Sequence, residues 1–138
     1  MNALIRVGVF IAAIALTGIV HAQTPGGYPN RSVKVIVPFA PGGPTDVTAR
    51  LVAAKLSVLL GQQFYIENQA GAGGNIGMGN AAKAAPDGYT ILFVSSSFVV
   101  NPSLYAKVPF DPVNDFAPIN TVGGTSFILV VHPSFPAK

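Results

Sequence analysis

Residues 33–50 read V-K-V-I-V-P-F-A-P-G-G-P-T-D-V-T-A-R, and the fold is decided there. The apolar, β-branched run Val33–Val37 stops at a Pro/Gly turn and restarts as a helical pattern, which reads as strand, tight loop, helix. Near-continuous apolar character suits a parallel strand buried on both faces. A loop that joins a strand's carboxyl end to a helix's amino end presents backbone N–H groups with no intrahelical partner. With the positive end of the helix dipole behind them, such donors suit a phosphate or a carboxylate. Gly42 and Gly43 permit the sharp turn and a close approach of ligand to main chain. Thr45 and Asp46 both qualify as N-caps; if Gly43 caps instead, Pro44 takes the first helical position. A plain capped βα turn satisfies the same pattern.

Downstream, Val47, Leu51, Ala54 and Val58 recur at i, i+4, i+7 and i+11, one apolar face of a helix that Gly61 ends. The unit then repeats. Gln63–Glu67 reads as a second strand, Gly71–Asn75 as a glycine-rich loop and residues 76–84 as a helix. Pro86-Asp87-Gly88 is a turn, and Thr90–Val94 is a third buried strand ending in Ser95-Ser96-Ser97. Strands alternating with helices imply right-handed crossovers and a parallel sheet, so the three strand carboxyl ends share one edge, where open α/β sheets bind ligands. Asp46 is the one charged side chain in these loops, and no Lys or Arg lies within them. The expectation is a small anion held by neutral hydrogen bonds from Gly42, Gly43, Gly73 and Gly74, with Thr45, Asn75, Ser95 and Ser96 adding side-chain partners and Asp46 orienting the first helix. Beyond Phe98 the pattern loosens: residues 101–105 read as a turn or a single helical turn, and 108–116 as surface loop. Residues 119–122 and 127–131 are two further strand candidates across Gly123-Gly124-Thr125.

Residues 1–22 carry Arg6, an uncharged, mostly apolar run from Val7 to Val20, and compact residues at Val20 and Ala22, the pattern of a secretory signal peptide cut after Ala22. The run is shorter than the roughly 20 residues of a membrane-spanning helix. Residues 23–31, with Pro25, Gly26, Gly27 and Pro29, read as a flexible lead-in without a core role. Half of the 138 residues are hydrophobic and 9% charged, which excludes a disordered chain and a nucleic-acid binder built on a basic surface. No Cys is present, so disulfides, thiolate metal sites and a Cys nucleophile are excluded.

Other chemistries lack their residues. Gly71-Ala72-Gly73-Gly74-Asn75-Ile76-Gly77 spaces its glycines as G-x-G-x-x-x-G, with Ile76 where a dinucleotide fingerprint needs glycine, and the acid expected after the next strand is missing. No Walker lysine follows a glycine loop, no G-x-S-x-G surrounds Ser95–Ser97, and His132 lacks companions for a metal. The reading is neither an enzyme nor a cofactor or metal protein. Two rivals stand beside a binding module: a secreted α/β nucleotide binder and a truncated, non-binding product.

Several motifs occur together and in order: Tyr28-Pro29, V-P-F-A-P-G-G-P-T-D at 37–46, Gly61-Gln62, E-N-Q-A-G-A-G-G-N-I-G at 67–77, P-D-G-Y-T at 86–90, N-P-S-L-Y at 101–105 and D-F-A-P-I at 115–119. Across nearly all of residues 23–138 the chain resembles the Bug family, extracytoplasmic receptors of tripartite tricarboxylate transporters. The resemblance implies a periplasmic, monomeric solute receptor for a small carboxylate (a di- or tricarboxylate, an acidic amino acid or an aromatic acid), with membrane-embedded transporter subunits as partners. It implies an α/β, periplasmic-binding-protein-like (type II) lobe with a mostly parallel sheet. The first lobe would grip one carboxylate through main-chain donors and ordered water at loops matching Phe39–Asp46, Ala40 among them, and Gly71–Asn75, with Ser95–Ser97 nearby. Members are more than twice this long, so residues 23–138 correspond to the amino-terminal part of lobe one, the sheet incomplete and the second lobe absent.

Overall fold

The computed structural model describes residues 27–136 except Thr125, Phe127 and Leu129; the expected leader and its cleavage point lie outside the described residues. Three parallel strands, β1 (Val33–Val37), β2 (Phe64–Asn68) and β3 (Thr90–Leu92), form one sheet in the order β2-β1-β3. Register pairs Val35 with Ile66 on one side and with Ile91 on the other. Helix α1 (Pro44–Leu60) connects β1 to β2, and α2 (Asn75–Ala82) carries the chain back past β1 to β3. The crossover from β1 to β2 and the one from β2 to β3 run in opposite directions across the sheet, so right-handedness puts the two helices on opposite faces. β1 is therefore central and covered twice, as its continuous apolar sequence requires: Val33, Val35, Ile36 and Val37 are all buried. A third helix, α3 (Ser97–Leu104), follows β3.

One face of the sheet packs Val33, Val35 and Phe64 against Ala53, with Leu56, Ile66, Ile91 and Phe93 around them. On α1 the residues turned inward are Asp46, Ala49 and Ala53, which corrects the expected stripe. Val47, Leu51 and Val58 are exposed at 48%, 69% and 79%. Small alanines let the helix lie close to the strands, and the buried Asp46 interrupts the apolar periodicity that would have marked the inner face. Gly43 is the N-cap with Pro44 in the first turn, and Gly61 ends the helix in the left-handed conformation (φ 69°), its N–H donating to the Ser57 carbonyl.

Four further expectations are corrected. The third strand is three residues long and half-buried, because only β1 pairs with it among the described residues. Residues 97–104 form a helix that ends at Tyr105 and tolerates Pro102 near its end. The loop after it is the expected surface loop, anchored at one point: Phe110 is buried and stacks on Phe98 at 5.5 Å, with Phe116 edge-on to both. Residues 119–122 form no strand, nor do the described residues of 127–131; with no partner strand alongside, Ile119, Ile128 and Val130 stay exposed. The lead-in likewise has a structural role from Tyr28 on, since the Tyr28 hydroxyl donates to the Gly88 carbonyl and Tyr89 to Asn30 Oδ1.

Candidate functional site at the carboxyl edge of the sheet

The strand order reverses at β1, so the connections leaving β1 and β3 part to opposite faces and open a crevice at their carboxyl ends. The loop after β1 supplies one wall. Val47 N–H donates to the Gly43 carbonyl at 2.9 Å as the first helical bond of α1, which leaves the amides of Thr45 and Asp46 without intrahelical acceptors. Beside them, Asp46 is 1% exposed. Its carboxylate accepts from the Gly42 amide at 2.8 Å, from Arg50 Nε at 2.9 Å and from Asn68 Nδ2 at 2.8 Å. Hydrogen bonds from Arg50, Gly42 and Asn68 hold its pKa far below the usual carboxylate range, so the group is ionised. Arg50 also donates to Asn68 Oδ1 (2.9 Å), and Asn68 Nδ2 reaches the Phe39 carbonyl (3.1 Å). These bonds fasten the loop between the ends of β1 and β2.

The second wall is the glycine loop after β2. Residues 71–74 all have positive φ, Ala72 among them at 49°, a cost that the surrounding contacts must offset. A Cβ on Gly74 would lie 2.8 Å from Met78 Cε and 3.4 Å from the Pro38 carbonyl oxygen, and one on Gly73 would lie 2.5 Å from the Tyr105 hydroxyl. Positive φ together with these close approaches favours glycine at both positions where the loop seats between β1's exit and α3. Asn101, 4% exposed, locks the contact from α3: its Nδ2 donates to the Gly73 carbonyl at 3.0 Å and to Asn75 Oδ1 at 2.7 Å. Phe93 N–H donates to the Ile36 carbonyl at 2.9 Å, which brings Ser95 and Ser96 level with the loop that follows β1.

The structure therefore gathers Phe39, Ala40, Gly42, Gly43, Thr45, Asp46, Gly73, Gly74, Asn75, Ser95 and Ser96 at one edge, with different availabilities. Ala40, Gly42, Gly73, Ser95 and Ser96 are exposed; Phe39, Gly43 and Thr45 are half-buried. Two expected donors are corrected: the Gly42 amide is engaged by Asp46, and the Gly74 amide donates to the Gly71 carbonyl at 2.9 Å. Ser95 Oγ lies 3.2 Å from Ser97 Oγ, while the hydroxyls of Thr45 and Ser96 have no hydrogen-bond partner among the described residues. No hydrogen bond joins the serines to either glycine loop among those residues. Arg50, Asn68, Asn101 and Tyr105 are the contributors that sequence reading missed. Asn68 and Asn101 lay inside quoted motifs, and Arg50 closes the opening stretch, but their partners are distant in sequence. Among the described residues no cluster of acids and histidine forms a metal site, and no helix is long and apolar enough to cross a membrane.

Comparison with known proteins gives this geometry a context. Residues 48–138 match the model for the tripartite tricarboxylate transporter family receptor, TctC. Protein BugT of Bordetella pertussis is 44% identical over 129 residues, covering 92% of this chain and 39% of its own length. Among solved structures, the periplasmic binding protein BugD superposes with a TM-score of 0.65 at 47% identity, over 67% of this chain and 31% of that one. MatC from Rhodopseudomonas palustris, solved with bound malate, gives a TM-score of 0.58 at 42% identity, over 66% and 31%. The chain thus spans about two fifths of the length of the relatives it matches.

Proposed function

We propose, since this chain belongs to the tripartite tricarboxylate transporter receptor family, that its carboxyl-edge loops hold one carboxylate of a small organic acid. The family is one of solute-binding receptors rather than an enzyme class. MatC, which this chain resembles in sequence and fold, was solved with bound malate. The observation that carries the reading is the meeting of two donor-bearing loops at Pro38, Phe39 and Gly74, at the point where the strand order reverses. Amides of Thr45 and Asp46 at the start of α1, the Thr45 and Ser96 hydroxyls and the side-chain Nδ2 of Asn75, whose backbone N–H donates to the Ala72 carbonyl, are the groups that would meet the ligand. Phe39, Ala40 and Gly43 shape the crevice, and Gly42, Gly73 and Gly74 give it its backbone course.

Residues 23–138 are then the amino-terminal part of the first of two lobes, delivered to the periplasm by a leader at 1–22. The ligand class is a di- or tricarboxylate, an acidic amino acid or an aromatic acid; the partners are the transporter's membrane subunits, and the receptor works as a monomer. The test is a calorimetric titration of the purified chain with malate, succinate, adipate, glutamate and nicotinate, with NAD as control. One acid binding while NAD does not is the expected result, and Thr45→Val together with Ser96→Ala should weaken it roughly tenfold, as loss of one or two hydrogen bonds to a charged group does. Binding of NAD alone, or affinity untouched in the double variant, would overturn the assignment.

A further inference from the structure

The loop assigned to an anion has a buried negative charge within it. Asp46 is 1% exposed and ionised, and its Oδ2 accepts from the same loop's Gly42 amide at 2.8 Å. A carboxylate ligand approaching the start of α1 would meet that charge unless something cancels it. Arg50 stands one helical turn on, its Nε at 2.9 Å from the same Oδ2, with its own side chain half exposed.

We infer that Arg50 and Asn68 are positioning residues of the carboxylate site: Arg50 neutralises Asp46 so that the loop can accept an anion, and Asn68 locks the pair to the loop. The inference rests on the reading of the site given above. Both guanidinium hydrogen bonds to the protein go to Asp46 and Asn68, and Arg50 also borders a shallow groove of about 410 Å³ between α1 and β2, with Ala53 and Phe64. Arg50 is thus placed to compensate a charge rather than to touch a ligand. Asn68 completes the ring with its Nδ2 shared between Asp46 Oδ1 (2.8 Å) and the Phe39 carbonyl (3.1 Å). An ordinary surface pair would matter little, but here one partner is buried, and removing the other leaves a charge with no counterion. Even if a bound carboxylate lay as far as about 10 Å away, with an effective dielectric constant of about 20, that charge would weaken binding by roughly tenfold or more.

The experiment titrates malate, at neutral pH, into the wild-type chain, Arg50→Gln, Arg50→Lys and the double variant Asp46→Asn/Arg50→Gln, with a thermal melt of each. Arg50→Gln should lose roughly tenfold in affinity. Arg50→Lys, which keeps the charge and gives up the forked contact, should stay within about threefold of wild type while melting lower. The double variant, neutral again though it lacks the ion pair, should recover to within about threefold of wild type. A purely structural role predicts the reverse, with the double variant weaker than Arg50→Gln, and that result overturns the inference, as does an Arg50→Gln affinity equal to wild type. If Arg50→Gln fails to melt cooperatively, near-wild-type affinity in both Arg50→Lys and the double variant supports the inference, and loss in either contradicts it. A wild-type chain that binds none of malate, succinate, adipate, glutamate, nicotinate or a tricarboxylate removes the reading of the site and this inference with it.

Discussion

At the amino end of the sheet, Arg31 meets Asp87 at 2.8 Å with side chains 62% and 43% exposed, whereas at the carboxyl end Arg50 meets Asp46 at 2.9 Å with the carboxylate 2% exposed. Both ends tie segments far apart in sequence, but in different media. The amino end relies on groups that water also solvates: Arg31 lies over the Tyr89 ring at 4.1 Å, and Tyr28 packs against Tyr89 at 5.3 Å. The carboxyl end relies on Asp46, Asn75 and Asn101, all buried and hydrogen-bonded, and on Gly42, Gly73 and Gly74 held at positive φ. Exposed pairs contribute little and tolerate loss, while buried polar groups are costly to orphan. Fixed dipoles are therefore concentrated at the end where an anion would be recognised.

Substitutions should separate the two ends in order of size. Gly77→Ala is expected to be the most damaging, since its Cβ would lie 2.7 Å from the Gln69 carbonyl oxygen and 2.9 Å from Pro38 Cα. Overpacking against backbone should cost about 3 kcal/mol in a urea titration. Asn101→Ala comes next at about 2 kcal/mol, because the Gly73 carbonyl and Asn75 lose their donor in a buried setting. Arg31→Ala at the amino end should cost at most about 1 kcal/mol, and the difference should shrink in 0.5 M salt. A loss from Arg31→Ala as large as that from Asn101→Ala would erase the distinction.

Acid offers a separate probe. The Asp46 pKa is lowered in the fold, chiefly by the Arg50 hydrogen bond, so its contribution to stability is complete above its unfolded pKa of about 3.9 and is lost as pH falls below that value toward the folded one. A melt series from pH 6 to pH 2 should show a steep decline below about pH 4 that Asp46→Asn makes shallower.

The places of the first three strands, the two glycine loops and the parallel sheet were legible because each depends on local pattern: a β-branched run, a glycine cluster, a Pro/Gly stop; the apolar runs at 119–122 and 127–131 misled because they have no partner strand among the described residues. The inner face of α1 was not. Its contact residues are Ala49 and Ala53 with a buried ion at Asp46, so the large apolar residues pointed to the wrong side. The wiring of the site was hidden for a related reason. Asn68 reaches Asp46 across 22 residues and Asn101 reaches Gly73 across 28, and neither asparagine has a periodicity that would announce its partner. The glycines were read correctly as permissive, but their amides were assigned to ligand when Gly42 and Gly74 use theirs within the fold.

The most direct measurement is a two-dimensional ¹H–¹⁵N spectrum of the labelled chain with and without saturating malate. The account predicts amide shifts concentrated at Gly43, Thr45, Asp46, Gly73, Asn75, Ser95 and Ser96, with Tyr28–Arg31 and Asp87–Tyr89 unmoved. Shifts confined to the amino end of the sheet, or an unchanged spectrum with malate, other di- and tricarboxylates, glutamate and nicotinate alike, would contradict it.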